Sequence, residues 1–232
     1  MFLDTYLAMT AAEFASCAQL PPHMAWMACH FSSYGTGLCN FPPAMADGSM
    51  VIVNDRTPIY GHSPELICQQ LTALCEKHKI DAVLLDFQRP DFPQLQQLAQ
   101  LLTRDLPCPV GVSELYSQGL NCPVFVSPPP PHHTLAKHLQ TWQGREIWLE
   151  AATGYWELTV DTSGMSLEEV PPFSPAESHF YEPSVHSQYY IKCEDSFARF
   201  HMWRSEQALQ QLLADAAQLG VTRSIGLYQQ LK

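Results

Sequence analysis

Apolar residues along this chain fall into short, nearly continuous runs, separated by longer stretches in which they recur at helical spacing. The runs are "HMAWMACHF" (23–31), "SMVIVNDR" (49–56), "DAVLLDF" (81–87), "CPVGVSE" (108–114), "CPVFVSPP" (122–129), "EIWLEA" (146–151) and "SIGLYQQL" (224–231). Each is rich in β-branched, aromatic or aliphatic side chains and is bounded by Pro, Gly or polar residues. That pattern predicts strands buried on both faces. "MFLDTYLA" (1–8) predicts an eighth strand at the N-terminus, followed by a helix in "TAAEFASCAQ" (10–19).

The intervening stretches predict helices. "SPELICQQLTALCEKHK" (63–79) opens with Ser63 as N-cap and Pro64 at the first helical position, and Leu66, Ile67, Leu71, Leu74 and Cys75 follow at helical spacing. "DFPQLQQLAQLLTRD" (91–105) opens with Asp91, "HHTLAKHLQTWQG" (132–144) closes on Gly144, and "SEQALQQLLADAAQLG" (205–220) runs from Ser205 to Gly220. Strands alternating with helices predict a parallel sheet, and eight such units predict a small (β/α)8 TIM barrel. The alternative is an open doubly wound α/β sheet. Its Gly-rich phosphate loop has one candidate, "SSYGTG" (32–37), which no helix follows.

Residues 153–200 break the rhythm. "YWELTVDTSGMSLEEVPP" predicts a hairpin around Ser163-Gly164, with Trp156, Leu158 and Val160 alternating, and "HSQYYIKCEDSFARFHMW" predicts a second pair turning near Glu194-Asp195. A proline-rich segment joins them. We read residues 1–232 as one domain, with a β-rich insertion at 153–200 before the last helix and strand.

Composition narrows the function. Hydrophobic residues make up 46% of the 232, enough for a sizeable core, and the net charge of −11 argues against nucleic-acid or anionic-membrane partners. There is no transmembrane-length apolar run, and the start lacks the basic and apolar regions of a signal peptide, so a cytoplasmic protein is expected. The eight cysteines form no CxxC pair and read as reduced core residues. His132 and His133 have no third ligand spaced to join them, so neither a metal nor another cofactor is expected.

In a barrel the chemistry sits at the C-terminal strand ends. Those ends carry His30, Asn54, Asp55, Arg56, Asp86, Gln88, Arg89, Glu114, Ser127 and Glu150. Asp86, Glu114 and Glu150 are the candidate catalytic carboxylates. Gln88, Arg89, Asp55, Arg56 and His30 are the candidate ligand-binding residues, with Tyr34 and Tyr116 on the following loops as the aromatics best suited to stack on a sugar ring.

"DAVLLDFQRP" (81–90) resembles the fourth-strand signature of family 18 glycoside hydrolases, the chitinase-like barrels, whose pattern is Asp-x-x-Asp-x-Asp-x-Glu. Asp81 matches the first Asp, Asp86 the third, Phe87 the aromatic and Pro90 the trailing proline. Leu84 replaces the second Asp and Gln88 the final Glu. The resemblance implies a saccharide or glycoconjugate ligand. It also implies loss of the usual mechanism, because a glutamine cannot donate a proton as a general acid. Three readings follow: a saccharide-binding barrel without the usual catalysis; a hydrolase of glycoside type using Glu114 or Glu150 with Asp86 or Asp55; or a structural or partner-binding barrel.

Overall fold

The computed structural model describes residues 3–231. The chain runs β1 (Asp4–Met9), α1 (Ala11–Ser16), β2 (Met24–Phe31), β3 (Leu38–Cys39), β4 (Met50–Asn54), α2 (Pro64–His78), β5 (Ala82–Asp86), α3 (Pro93–Asp105), β6 (Val110–Ser113), β7 (Val124–Val126), α4 (Leu135–Leu139), β8 (Ile147–Ala151), β9 (Gly154–Asp161), β10 (Gly164–Glu169), β11 (Phe180–Glu182), β12 (Ser187–Cys193), β13 (Phe197–Arg204), α5 (Glu206–Gln218), β14 (Val221–Leu227) and α6 (Tyr228–Leu231).

Among the described residues, eight parallel strands follow one another in the order β1, β2, β4, β5, β6, β7, β8 and β14. β1 pairs with both β2 and β14, so the sheet closes on itself. This is the (β/α)8 barrel, and closure overturns the open-sheet alternative. The two-residue strand β3 hangs antiparallel on β2. The segment 32–37 leads into it and cradles no helix. It is pinned from behind instead, by His62 on the Ser32 carbonyl and the Gly37 N–H, and by Gln70 on the Leu38 N–H.

Side-chain alternation along the strands sorts the core into layers. Ala82 and Leu84 of β5, Trp148 of β8, Phe125 of β7, Met50 and Ile52 of β4, and Ile225 of β14 fill the barrel interior. Their neighbours Val83, Leu85, Val51 and Val53 face outward against α2 and α3. Leu149, Val124 and Val126 face α4 and α5 in the same way. Trp148 is fully buried, and it fits only because residue 111 on β6 is glycine: a Cβ there would drive into the indole ring. At the bottom of the barrel, Asp81 accepts a hydrogen bond from Tyr6 Oη and pairs with Arg223 at 2.8 Å, and Arg223 lies over the Trp148 ring.

The helix starts follow local chemistry. Ser63 and Ser205 cap α2 and α5 by accepting from the backbone N–H groups of Leu66 and Ala208. Three expectations are corrected. Asp91 does not cap α3; it takes a left-handed turn at φ 61°, and α3 starts at Pro93 behind Phe92. The last strand starts at Val221 and ends at Leu227, and Tyr228–Leu231 are helical. The expected helix over 132–144 shrinks to α4 and a short 3-10 turn.

Between β8 and α5 the chain builds a second, antiparallel sheet in the order β10-β9-β13-β12-β11, spanning Gly154 to Arg204. Trp156, Leu158, Phe200 and Met202 share one of its faces. Arg204, 1% exposed, fastens this sheet to the barrel: it donates to the Pro129 and His186 carbonyls and lies over the Trp156 ring. Burial pulls its pKa down to about 10.

Candidate functional site

The alternation that fills the barrel with Leu84 and Trp148 aims the next inward positions, Asp86 and Glu150, at the C-terminal mouth. There a cavity of about 1220 Å³ opens, with Asn54, Asp86, Gln88, Glu150, Trp156 and Glu169 in its wall. Phe125, Leu84 and Ile225 form its apolar floor, and the Pro128–Pro131 strap forms one side. Small-ligand sites usually occupy roughly 300–1,000 Å³, so this one has room for more than one sugar ring.

Asp86 and Gln88 touch directly: Gln88 Nε2 donates to Asp86 Oδ1. Burial raises the Asp86 pKa, the Gln88 hydrogen bond opposes that rise, and the negative charge of Asp55 adds to it. Glu150 is more strongly perturbed. Burial first, then the charges of Asp86, Glu169 and Glu114, lift its pKa to about 7. Among the described residues no hydrogen-bond donor reaches its carboxyl group.

Asp55 borders the cavity but is 4% exposed, and its carboxylate is committed to the backbone N–H groups of Gln88 and Arg89, at 3.1 and 2.8 Å. It holds the loop that carries Gln88. Arg89 and Arg56 line the cavity and tie their loops together, Arg89 Nη2 donating to the Arg56 carbonyl at 2.8 Å. Asn54 bridges back to β2, donating to the Met27 and Cys29 carbonyls where the β2–β4 register shifts.

Four expected residues lie outside the cavity wall. Glu114 starts a 3-10 turn, and its Oε1 accepts the Ser127 N–H at 2.7 Å, so it positions the proline strap. Tyr116 is 4% exposed and packs behind the site, donating to the Arg89 carbonyl and accepting from the Phe92 N–H. His30 turns its Nδ1 to the Ala28 carbonyl, next to the β2 irregularity. Tyr34 is 90% exposed on its loop. In their place the second sheet contributes Trp156 and Glu169. Sequence reading missed Glu169, although the hairpin register pairs it with Trp156, whose alternation was visible.

Among the described residues no group of three or more His, Cys, Asp or Glu side chains is arranged to hold a metal ion, and no helix is long and apolar enough to cross a membrane.

No family model and no curated protein sequence matches the chain. Solved structures do. A chitinase from Chromobacterium violaceum superposes with a TM-score of 0.59 at 9% identity, over 100% of this chain and 96% of that one. A family 18 chitinase from Cycas revoluta in complex with (GlcNAc)3 gives 0.58 at 10% identity, over 97% and 95%. The spore cortex-lytic enzyme SleL of Bacillus cereus gives 0.53 at 9%, over 97% and 70%. The chain therefore has the fold of the chitinase-like barrels.

Proposed function

We propose that the chain binds a saccharide or glycoconjugate in the mouth of the barrel, and that it does so without the proton donor of the family 18 mechanism. The observation that carries this reading is the Gln88–Asp86 hydrogen bond at the end of the fourth barrel strand, inside the cavity. A carboxamide at position 88 offers a donor and an acceptor to sugar hydroxyls and acetamido groups but cannot protonate a leaving oxygen. Asp86 supplies an acceptor, Arg56 and Arg89 supply donors, and Trp156 supplies an aromatic surface.

Two Cycas revoluta structures support N-acetylglucosamine oligomers as the first ligands to try. One chitinase is in complex with (GlcNAc)3, and a double mutant that includes a Glu-to-Gln replacement is in complex with (GlcNAc)4. Calorimetric titration with (GlcNAc)3 and (GlcNAc)4, beside a glycan array, tests the proposal. Saturable binding that Asp86→Ala weakens at least tenfold is the expected result. An array on which no glycan binds overturns it.

A second reading has its own observation. Glu150 is a cavity carboxyl with a pKa near 7 and no hydrogen-bond donor of its own, which suits a general acid at neutral pH, with Asp86 as the companion carboxylate. Hydrolysis of chromogenic glycosides that Glu150→Gln abolishes favours this reading over binding alone. Wild-type protein inert across a broad glycoside panel rejects it.

A further inference from the structure

We infer that Cys75 and Cys108 form a redox-reactive dithiol site at the N-terminal end of the barrel, which a hydroperoxide converts to a disulfide. The two sulfur atoms are 3.6 Å apart and share a hydrogen bond. Cys75 sits in the second half of α2 and is 5% exposed. Cys108 lies in the half-buried "LPCP" segment ahead of β6, where exposed Pro107 and Pro109 limit backbone freedom on both sides. A disulfide needs an S–S distance of about 2.0 Å, so closure asks for a sulfur displacement of about 1.6 Å, within reach of modest side-chain rotation.

The surroundings divide the labour between the two thiols. The hydrogen bond shared with Cys75 holds the Cys108 thiol below its usual range, and the nearby Arg223 guanidinium acts in the same direction against burial and Asp81. The same hydrogen bond and burial push Cys75, the less exposed partner, up. Cys108 is thus the attacking thiolate and Cys75 the resolving thiol. Cys108 sulfur attacks the peroxide: an S–O bond forms, the O–O bond breaks, and the departing alkoxide or hydroxide takes a proton from water. Cys75 sulfur then attacks Cys108 sulfur, the S–S bond forms, and the S–O oxygen leaves as water with the Cys75 proton. Two thiols lose two electrons and the peroxide gains them.

The bridge ties α2 to the start of β6 across 33 positions of chain. Neither cysteine lines the barrel-mouth cavity, so saccharide binding is expected to survive oxidation.

The test treats the full chain with a slight excess of hydrogen peroxide, blocks remaining thiols with N-ethylmaleimide and maps peptides by mass spectrometry. The expected product has lost about 2 Da, links Cys75 to Cys108, reverts with dithiothreitol and melts roughly 5–10 °C higher. Recovery of both as alkylated thiols, under conditions that oxidise exposed Cys193, overturns the inference. So does accumulation of Cys108 as sulfinic acid with Cys75 still free. In Cys108→Ala the bridge is lost; a Cys75 that oxidises as fast with another partner also overturns it.

Discussion

Gln88 Nε2 donates to Asp86 Oδ1, two residues apart at the end of the fourth barrel strand, and both side chains face the cavity. The amide of Gln88 donates a hydrogen bond to Asp86 but has no acidic proton to give. Replacing Gln88 by Glu puts a second carboxyl beside Asp86, whose pKa burial already raises. Two such groups share one proton, and the shared proton is the one general acid catalysis needs. Gln88→Glu is therefore expected to raise turnover of a chromogenic N-acetylglucosamine glycoside by about 10²-fold or more above the wild-type background. Unchanged turnover with sugar binding intact would show that the Asp86–Gln88 pair is not aligned with a scissile bond.

Asp55 presents a different kind of carboxylate. It is buried, and it receives the N–H groups of Gln88 and Arg89 rather than ligand. Asp55→Ala leaves both amides without their charged acceptor. Charge-assisted hydrogen bonds contribute roughly 1.5–3 kcal/mol each when made, so a loss of about 3 kcal/mol and a drop in Tm of several degrees are expected by calorimetry. Ligand affinity should fall with it, because the loop carrying Gln88 and Arg89 loses its anchor. An unchanged Tm would place the loop under the control of Tyr116 alone.

Much of this arrangement was legible in the order of residues. The buried strands announce themselves because both faces of a barrel strand meet apolar layers, so "DAVLLD" and "IWLEA" read as continuous hydrophobic runs. The two-residue period then points Asp86 and Glu150 the same way as Leu84 and Trp148. Partnerships set by loops are not encoded that way. Glu114 and Asp55 look like equals of Glu150 at their strand ends, yet Glu114 is spent on one backbone N–H and Asp55 on two, all contributed by a neighbouring strand's loop. Tyr116 turns inward because its hydroxyl finds the Arg89 carbonyl and the Phe92 N–H. Glu169 reaches the cavity only because the second sheet folds over the barrel mouth, a tertiary fact with no local signature. The chain end misled for a related reason: "LYQQL" is apolar enough for a strand, but β14 has already reached the barrel rim at Leu227.

The barrel interior makes a sharper stability prediction. Trp148 fills the space that the missing side chain of residue 111 leaves on β6. Overpacking a core of this kind typically costs about 1–3 kcal/mol, and a fully buried indole in the same apolar cluster as Met50, Leu84 and Phe125 has little room to yield. Gly111→Ala is expected to lose at least about 2 kcal/mol in denaturant unfolding. The paired change Gly111→Ala with Trp148→Phe should recover part of it, since the smaller ring vacates the clash. Equal instability of the single and double variants would mean that the Cβ strains the strand itself.

Glu150 supplies a pH dependence whose sign follows from its position. Its pKa rises from an ordinary 4.5 to about 7 in the fold. Between those values the folded chain binds more protons than the unfolded chain, so unfolding free energy falls as pH rises. The contribution is fully present below 4.5 and is lost as pH climbs through 7. Its size is at most about 3 kcal/mol, at 1.36 kcal/mol per unit. Asp86 is raised by burial as well and adds in the same direction. Glu150→Gln keeps the shape of the side chain and removes the proton equilibrium. Urea unfolding of wild type and Glu150→Gln at pH 5, 6, 7 and 8 isolates the effect of Glu150 and of its coupling to Asp86, Glu169 and Glu114, because titrating groups that do not interact with it cancel in the difference. The variant should gain on the wild type steadily with pH and be the more stable of the two at pH 8. A difference that stays constant from pH 5 to 8 would mean that Glu150 ionises at its ordinary value. It would then lose its claim as a neutral-pH acid, leaving Asp86 and Gln88 as a site for binding alone.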